Sequence, residues 1–211
     1  MKRPDADSIQ TPPRARPRKL ILASASPRRR ELLIEYGYDF EVIPPPLAEP
    51  DEPAAGLAPA AFAESVSFFK AKSVAAGVDD GVILAADTIV TCRGGIFGKP
   101  ANCDHARAIL RSLSGTTHQV ITGVTLLNAR TRAHWIGHDA TAVTMRPLSD
   151  AQVEAYLTTD AWRGKAGAYG IQDRGDAFIE RIGGSFTNVV GLPMELVNRM
   201  LAEWGVPPKT V

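Results

Sequence analysis

The chain has 211 residues, 45% of them hydrophobic and 22% charged, which is enough for one sizeable α/β domain with a buried core. Its formal net charge of +1 excludes a protein that coats nucleic-acid duplexes, so any anion site must be local. No apolar stretch approaches the roughly 20 residues that span a bilayer, and the two cysteines, Cys92 and Cys103, lack metal-ligand or disulfide-framework spacing, as suits a reducing, cytoplasmic compartment.

Residues 1–18 are rich in Pro, Arg and Asp without a hydrophobic segment and read as a mobile tail. The apolar run at 19–23 predicts a buried strand, and Pro27 opens a helix over 27–36 with Ser26 as its N-cap. Leu32, Leu33 and Tyr36 form the apolar stripe of that helix, and Gly37 stops it. Its first turn carries Arg28, Arg29 and Arg30, where backbone N–H groups already point outward. Cations oppose the helix dipole there, so the segment is either an anion site built from N–H groups, the Ser24 and Ser26 hydroxyls and guanidinium forks, or a capped surface helix with solvated arginines.

A second strand over 39–43 ends at Pro44-Pro45-Pro46, and an acidic proline-rich loop with Glu49, Asp51 and Glu52 follows to about Pro53. A long helix over 58–76 puts Phe62, Val66, Phe69 and Ser73 on one face, with Lys70 bordering it, either lying along the core edge or pointing into a cleft. Residues 81–86 predict an apolar strand that ends at Asp87-Thr88; a hairpin of 89–91 with 96–97 turns at Arg93-Gly94-Gly95. Asn102 caps a helix over 103–113, and 117–128 with 133–145 form a broad hairpin. Ser149 and Gln152 make a capping box for a helix to about Leu157. A glycine-rich stretch over 164–191 holds one strand at 177–182, and Pro193 opens a final helix that ends near Gly205. Early alternation of strands and helices with a late hairpin predicts an α/β fold on a mixed sheet.

Three further residues carry candidate chemistry. Asp87, at a strand end, is placed to hold a divalent metal or take a proton from water, or simply to cap a turn. Lys99, between Gly98 and Pro100, offers a point charge to a phosphate. Gln172, after the small-residue run 165–171, has a carboxamide that both donates and accepts, matching the imide edge of uracil or thymine. His134 and His138 sit four apart on a predicted strand, a spacing that does not converge on zinc, and neither a Gly-x-Ser-x-Gly elbow nor a Walker loop occurs.

In their order and spacing, Leu22-Ala23-Ser24-Ala25-Ser26-Pro27-Arg28-Arg29, Ala86-Asp87-Thr88, Gly98-Lys99-Pro100, Leu113-Ser114-Gly115 with Thr122-Gly123, the 166–172 run and Gly191-Leu192-Pro193 resemble the Maf family of nucleoside triphosphate pyrophosphatases, from residue 19 to about 205. The resemblance implies an elongated α/β fold like that of the inosine triphosphate pyrophosphatases, a mixed sheet with flanking helices and a cleft between two lobes, in one domain over 19–211. It implies hydrolysis of a nucleoside triphosphate to monophosphate and pyrophosphate with Mg²⁺ or Mn²⁺, as nucleotide-pool house-cleaning. Ser24, Arg28, Arg29, Lys70 and Lys99 fall where the family binds phosphates, Asp87 falls on its catalytic carboxylate, and Glu49 falls on its acidic loop, as a metal ligand or as a second catalytic base beside Asp87. Arg28, Thr88 and Gln172 fall on positions tied to substrate choice; Thr88 and Gln172 resemble the dTTP/UTP branch, whereas the 7-methyl-GTP branch carries Gln after the Asp and Glu at the later position. Many relatives have two consecutive acids in the loop after the second strand, and here the pair reads Ala48-Glu49. The expected partners are dTTP and UTP, with no nucleic-acid polymer or membrane, and a homodimer is implied. A nucleotide-binding regulator of septum formation and a pyrophosphatase for non-standard purine triphosphates are the rival readings.

Overall fold

The computed structural model describes residues 19–47, 56–172 and 177–209. Seven strands form one mixed sheet in the order β2-β1-β3-β5-β6-β7, with β4 on the edge of β3. They are β1 (Leu20–Leu22), β2 (Phe40–Val42), β3 (Val82–Cys92), β4 (Gly95–Phe97), β5 (Thr117–Asn128), β6 (His134–Met145) and β7 (Ile179–Gly183). The strands β2, β1 and β3 run parallel, and β3 onward is antiparallel, so the mixed sheet expected from the sequence is present. The helices are α1 (Pro27–Glu35), α2 (Pro59–Ala75), α3 (Cys103–Leu113), α4 (Asp150–Leu157), α5 (Phe186–Val190) and α6 (Met194–Glu203).

The sheet is covered on both faces, and β3 shows it residue by residue. Val82, Leu84, Ala86 and Val90 join the main core with Leu32 and Leu33 of α1, Ile109 and Leu110 of α3 and Val197 of α6. Ile83, Ala85 and Ile89 face α2, against Ala71, Val74, Phe62 and Val66. A strand buried on both sides needs a continuous apolar run, as β3 has.

Two close approaches fix α2 against the sheet. A Cβ on Gly123 of β5 would stand 2.3 Å from the Ala63 carbonyl carbon and oxygen, so only glycine lets the helix backbone settle there. One turn further along α2, the Ser67 and Thr125 hydroxyls share a buried hydrogen bond of 2.7 Å.

Several predicted details differ. The strand expected to stop before Asp87 continues through it to Cys92, because β5 pairs with β3 without interruption from Val82 to Thr91. The turn into β4 sits at Arg93 and Gly94, both with positive φ, as a tight hairpin requires. Asn102 and the Ser149–Gln152 box cap their helices as expected. Ser26 occupies the N-cap position of α1, but its side chain makes no capping bond; its N–H donates instead to Ser24 Oγ at 3.2 Å. Tyr36, placed on the apolar stripe, is exposed. The glycine-rich stretch holds a 3-10 turn (Ala166–Ala168) and α5, neither of which was anticipated.

Candidate active site

The site follows from a gap in the sheet. β1 stops at Leu22, opposite Leu84, and β4 begins to pair only at Val90, so residues 85–89 of β3 carry no strand on that edge among the described residues. The free edge carbonyl of Ala86 must find other donors. Arg29 Nη1 supplies one at 2.7 Å, and Lys70 Nζ lies 3.4 Å away. A cavity of about 500 Å³ opens into this gap, lined by the β1–α1 turn, Lys70, Asp87, Thr88, Lys99, residues 163–166 and residues 169–172 among others.

Strand alternation sends Asp87 and Thr88 to opposite faces of β3. Asp87, 8% exposed, faces α2, where Lys70, 3% exposed, donates to its Oδ1 at 2.7 Å. Lys70 therefore points into the cleft rather than along the core edge, the second of the two placements its helix position allowed. Burying both charges is tolerated because each is hydrogen-bonded to the other.

Thr88 turns toward α1 and α5. Its hydroxyl accepts from Arg29 Nη2 at 3.0 Å, shares a 3.0 Å bond with Thr122 Oγ1 and donates to Gly191 O at 3.4 Å. Arg29 also sends Nε to Gly191 O at 2.7 Å and Nη1 to Ser24 Oγ at 3.4 Å. One planar guanidinium thus ties the β1–α1 turn, the open edge of β3 and the end of α5 together. Gly191 ends α5 with φ +119, and the helix start is held by Ser185, whose Oγ accepts the Asn188 N–H.

Ser24 is buried on the cavity wall, and Arg28 reaches across to the Gly164 carbonyl at 3.3 Å. Lys99 is exposed on the loop after β4, and Gln172 is exposed at the cavity rim. Seven residues assigned from sequence to phosphates, proton transfer or base choice (Ser24, Arg28, Arg29, Lys70, Asp87, Thr88 and Lys99) line this one cavity together with Gln172. Arg30, on the same helix, does not line it and is exposed. Glu49, Asp51 and Glu52 lie outside the described residues, as does the tail at 1–18.

Three lining residues escaped sequence reasoning: Arg163, Lys165 and Tyr169. Lys165 and Tyr169 belong to the small-residue run noted before Gln172, yet nothing in the run marks either side chain as part of the wall. Tyr169 is held from behind by His118 of β5, with Nε2 and the phenol oxygen 2.7 Å apart. Burial lowers the His118 pKa to about 4 and raises that of Tyr169, so the pair is neutral at physiological pH.

Among the described lining residues, six are cationic (Arg28, Arg29, Lys70, Lys99, Arg163 and Lys165) and one, Asp87, is acidic. The whole chain carries a formal charge of only +1, so this grouping of cations is local rather than a property of the whole surface. Such a cavity suits a polyanion. A hard divalent ion also fits the chemistry: Mg²⁺ takes one or two carboxylates, with phosphate oxygens and water completing its shell, and Asp87 presents a carboxylate beside the room for phosphates. Among the described residues no three His, Cys, Asp or Glu side chains cluster as a preformed metal cage.

The family model for Maf-like proteins matches residues 19–204. A curated dTTP/UTP pyrophosphatase of Moorella thermoacetica is 46% identical over 188 residues, covering 89% of this chain and 96% of that protein. Another, from Pelotomaculum thermopropionicum, is 40% identical over 189 residues, covering 89% and 97%. A solved nucleoside-triphosphatase / dITP/XTP pyrophosphatase from Mycobacterium abscessus aligns loosely, at a TM-score of 0.42 and 13% identity over 88% of this chain and 98% of that one. With the family model spanning nearly every residue from β1 to the end of α6, this chain belongs to the Maf family.

Proposed function

We propose that this chain hydrolyses dTTP and UTP to the monophosphate and pyrophosphate. The observation that carries the reading is the cavity with six cations and a single described acid, opening on the unpaired edge of β3 beside Asp87. The curated relatives named dTTP/UTP pyrophosphatase support the choice of substrate. The triphosphate lies along the start of α1, with its oxygens facing Ser24, Arg28, Lys70 and Lys99. Arg29 serves the same phosphates chiefly by fixing Ala86, Thr88 and Gly191 around them.

Asp87 orients a water and takes its proton as the water oxygen bonds to the α-phosphorus. The bridging P–O bond to the β-phosphate breaks, and its electron pair leaves with pyrophosphate. Lys70, 2.7 Å from the Asp87 carboxylate, holds it in place, and the surrounding cations stabilise the departing charge. Asp87 and Glu49 would hold a Mg²⁺ or Mn²⁺ ion, which would supply further charge neutralisation on the phosphates. Gln172 at the rim reads the imide edge of the pyrimidine, with Arg28 and Thr88 shaping the choice of base. The substrate in this reading is the free nucleotide of the cytoplasm, and the expected assembly is a homodimer.

Asp87→Asn removes the proton acceptor while keeping its shape. The variant is expected to lose turnover with dTTP and Mg²⁺ while still binding the nucleotide. An unchanged kcat would overturn the assignment. In the same assay, pyrophosphate release from non-standard purine triphosphates alone would favour the purine reading, and release from no nucleotide would favour the regulator.

A further inference from the structure

We infer that Thr122, buried behind the cavity wall, is a positioning residue that sets the Thr88 hydroxyl as a hydrogen-bond acceptor toward the nucleoside. The inference rests on the reading that the cavity receives a nucleoside triphosphate. Thr122 is fully buried and does not line the cavity. It precedes Gly123 on β5, and the two residues face opposite sides of the sheet. Gly123 seats α2, whereas Thr122 meets Thr88 and α5. A valine would fill the place of Thr122 without a buried hydroxyl to satisfy.

A hydroxyl has one proton to give and two lone pairs that receive. The Thr88 and Thr122 oxygens stand 3.0 Å apart, with Asn188 O 3.3 Å from Thr122 and Gly191 O 3.4 Å from Thr88. Two proton arrangements use the bond between the hydroxyls. In the first, Thr122 donates to Asn188 O and Thr88 donates to Thr122. In the second, Thr122 donates to Thr88, whose proton goes to Gly191 O. Both direct the Thr88 proton into the protein, and Arg29 Nη2 occupies one Thr88 lone pair at 3.0 Å. Thr88 therefore offers the cavity an oxygen and no proton. The first arrangement leaves it a second lone pair, and a donor on the nucleoside selects that arrangement: the imide N–H of the pyrimidine or the 3′-hydroxyl of the sugar.

The acceptor for the Thr122 proton is itself held in place. Asn188 is fully buried, and its Nδ2 donates to Val120 O at 3.0 Å and to Thr141 Oγ1 at 2.9 Å. Thr141 in turn donates to Ser185 O at 3.2 Å, so the five-residue helix α5 is fastened to β5 and β6. Asn188 Oδ1 finds no partner among the described residues. An apolar side chain of similar size would avoid that cost; the amide is explained by the two donors that keep α5 and its carbonyls beneath Thr122.

The test uses Thr122→Val, which keeps the branched shape and removes the hydroxyl. Thr88 is then left with Gly191 O at 3.4 Å for its proton, and its hydroxyl can turn toward the cavity. Binding of α,β-imido-dUTP, its 3′-deoxy derivative and inorganic tripolyphosphate is measured by titration calorimetry, beside dTTP turnover and circular dichroism to establish folding. The variant is expected to bind α,β-imido-dUTP about fivefold to tenfold more weakly, the loss of one neutral hydrogen bond. Tripolyphosphate should bind within about twofold of wild type, and the loss in turnover should fall on KM rather than kcat. Equal weakening of the 3′-deoxy derivative assigns the donor to the base N–H, and no weakening of it assigns the donor to the sugar hydroxyl. Thr122→Ser, which restores the hydroxyl, is expected to recover most of the affinity. Wild-type affinity for α,β-imido-dUTP in Thr122→Val overturns the inference. So does an equal loss for tripolyphosphate, which marks a merely structural role, or a folded Thr122→Ser protein as weak as Thr122→Val. A wild-type protein that binds α,β-imido-dUTP through Thr122 but releases no pyrophosphate from dTTP refutes the proposed function and leaves this inference standing. Hydrolysis with no dependence of binding on Thr122 does the reverse.

Discussion

Gly123→Ala tests whether the close seating of α2 on β5 is what aims Lys70 at Asp87. The residues Gly123 and Asp87 are direct partners across β3 and β5, so the missing Cβ and the carboxylate share the face on which α2 lies. An added methyl stands 2.3 Å from the Ala63 carbonyl and 2.5 Å from the Glu64 nitrogen, where ordinary contact begins at 3.4 Å, so the helix must retreat by about 1 Å. These are backbone atoms that no rotamer change can move aside. Lys70 lies two turns along the same rigid helix, and its 2.7 Å contact with Asp87 and the 2.7 Å Ser67–Thr125 bond both stretch. A misplacement of about 1 Å among reacting groups costs on the order of 100-fold in rate, and overpacking of this kind costs about 1–3 kcal/mol of stability. The assay is pyrophosphate release at saturating dTTP with Mg²⁺, beside urea unfolding. A folded Gly123→Ala protein with kcat within about twofold of wild type refutes the reasoning, because the predicted displacement should cost far more.

Gln172→Glu is expected to lower dTTP and UTP hydrolysis, since a carboxylate cannot donate to O4 of the base; comparing kcat/KM for the two nucleotides checks it, and unchanged rates remove Gln172 from the base pocket. His118 gives stability a pH dependence. Its folded pKa of about 4 lies below the usual 6.5, so on acidification the unfolded chain takes up the proton first. The contribution is fully present above pH 6.5, declines as pH falls and is gone below about 4, with a loss of about 2 kcal/mol between pH 7 and 5. Urea unfolding at those two pH values should show this loss in wild type and its absence in His118→Gln; equal losses in both proteins contradict the burial argument. Removing the divalent ion with a chelator is expected to abolish turnover and to restore it on addition of Mg²⁺ or Mn²⁺, read by the same pyrophosphate assay.

What the sequence made legible was local. Asn102 and the Ser149–Gln152 box act within four residues, and the structure keeps both. Asp87 was chosen because it ends an apolar run, yet its strand does not end there. The site comes instead from the absence of β1 and β4 beside residues 85–89, a consequence of where two other strands stop. Arg29 read as one more cation for the anion; only the fold reveals that its donors join Ser24, Ala86, Thr88 and Gly191, the last of them 162 positions from Arg29. Lys165 escaped notice because small neighbours signal close packing without saying which side chain it seats. Gly123 was noted within a motif, but its reason, the Ala63 carbonyl pressed against it, lies 60 residues away on another element. Tertiary contacts of this kind leave no mark in the spacing of nearby residues.

The central claim is that water attacks the α-phosphorus of a pyrimidine triphosphate. Hydrolysis of dTTP by the purified protein with Mg²⁺ in ¹⁸O-labelled water, followed by ³¹P NMR and mass spectrometry, tests it most directly. The account predicts dTMP bearing the ¹⁸O label and unlabelled pyrophosphate, both lost in Asp87→Asn. Label in pyrophosphate, or products consisting of dTDP and inorganic phosphate, would contradict it.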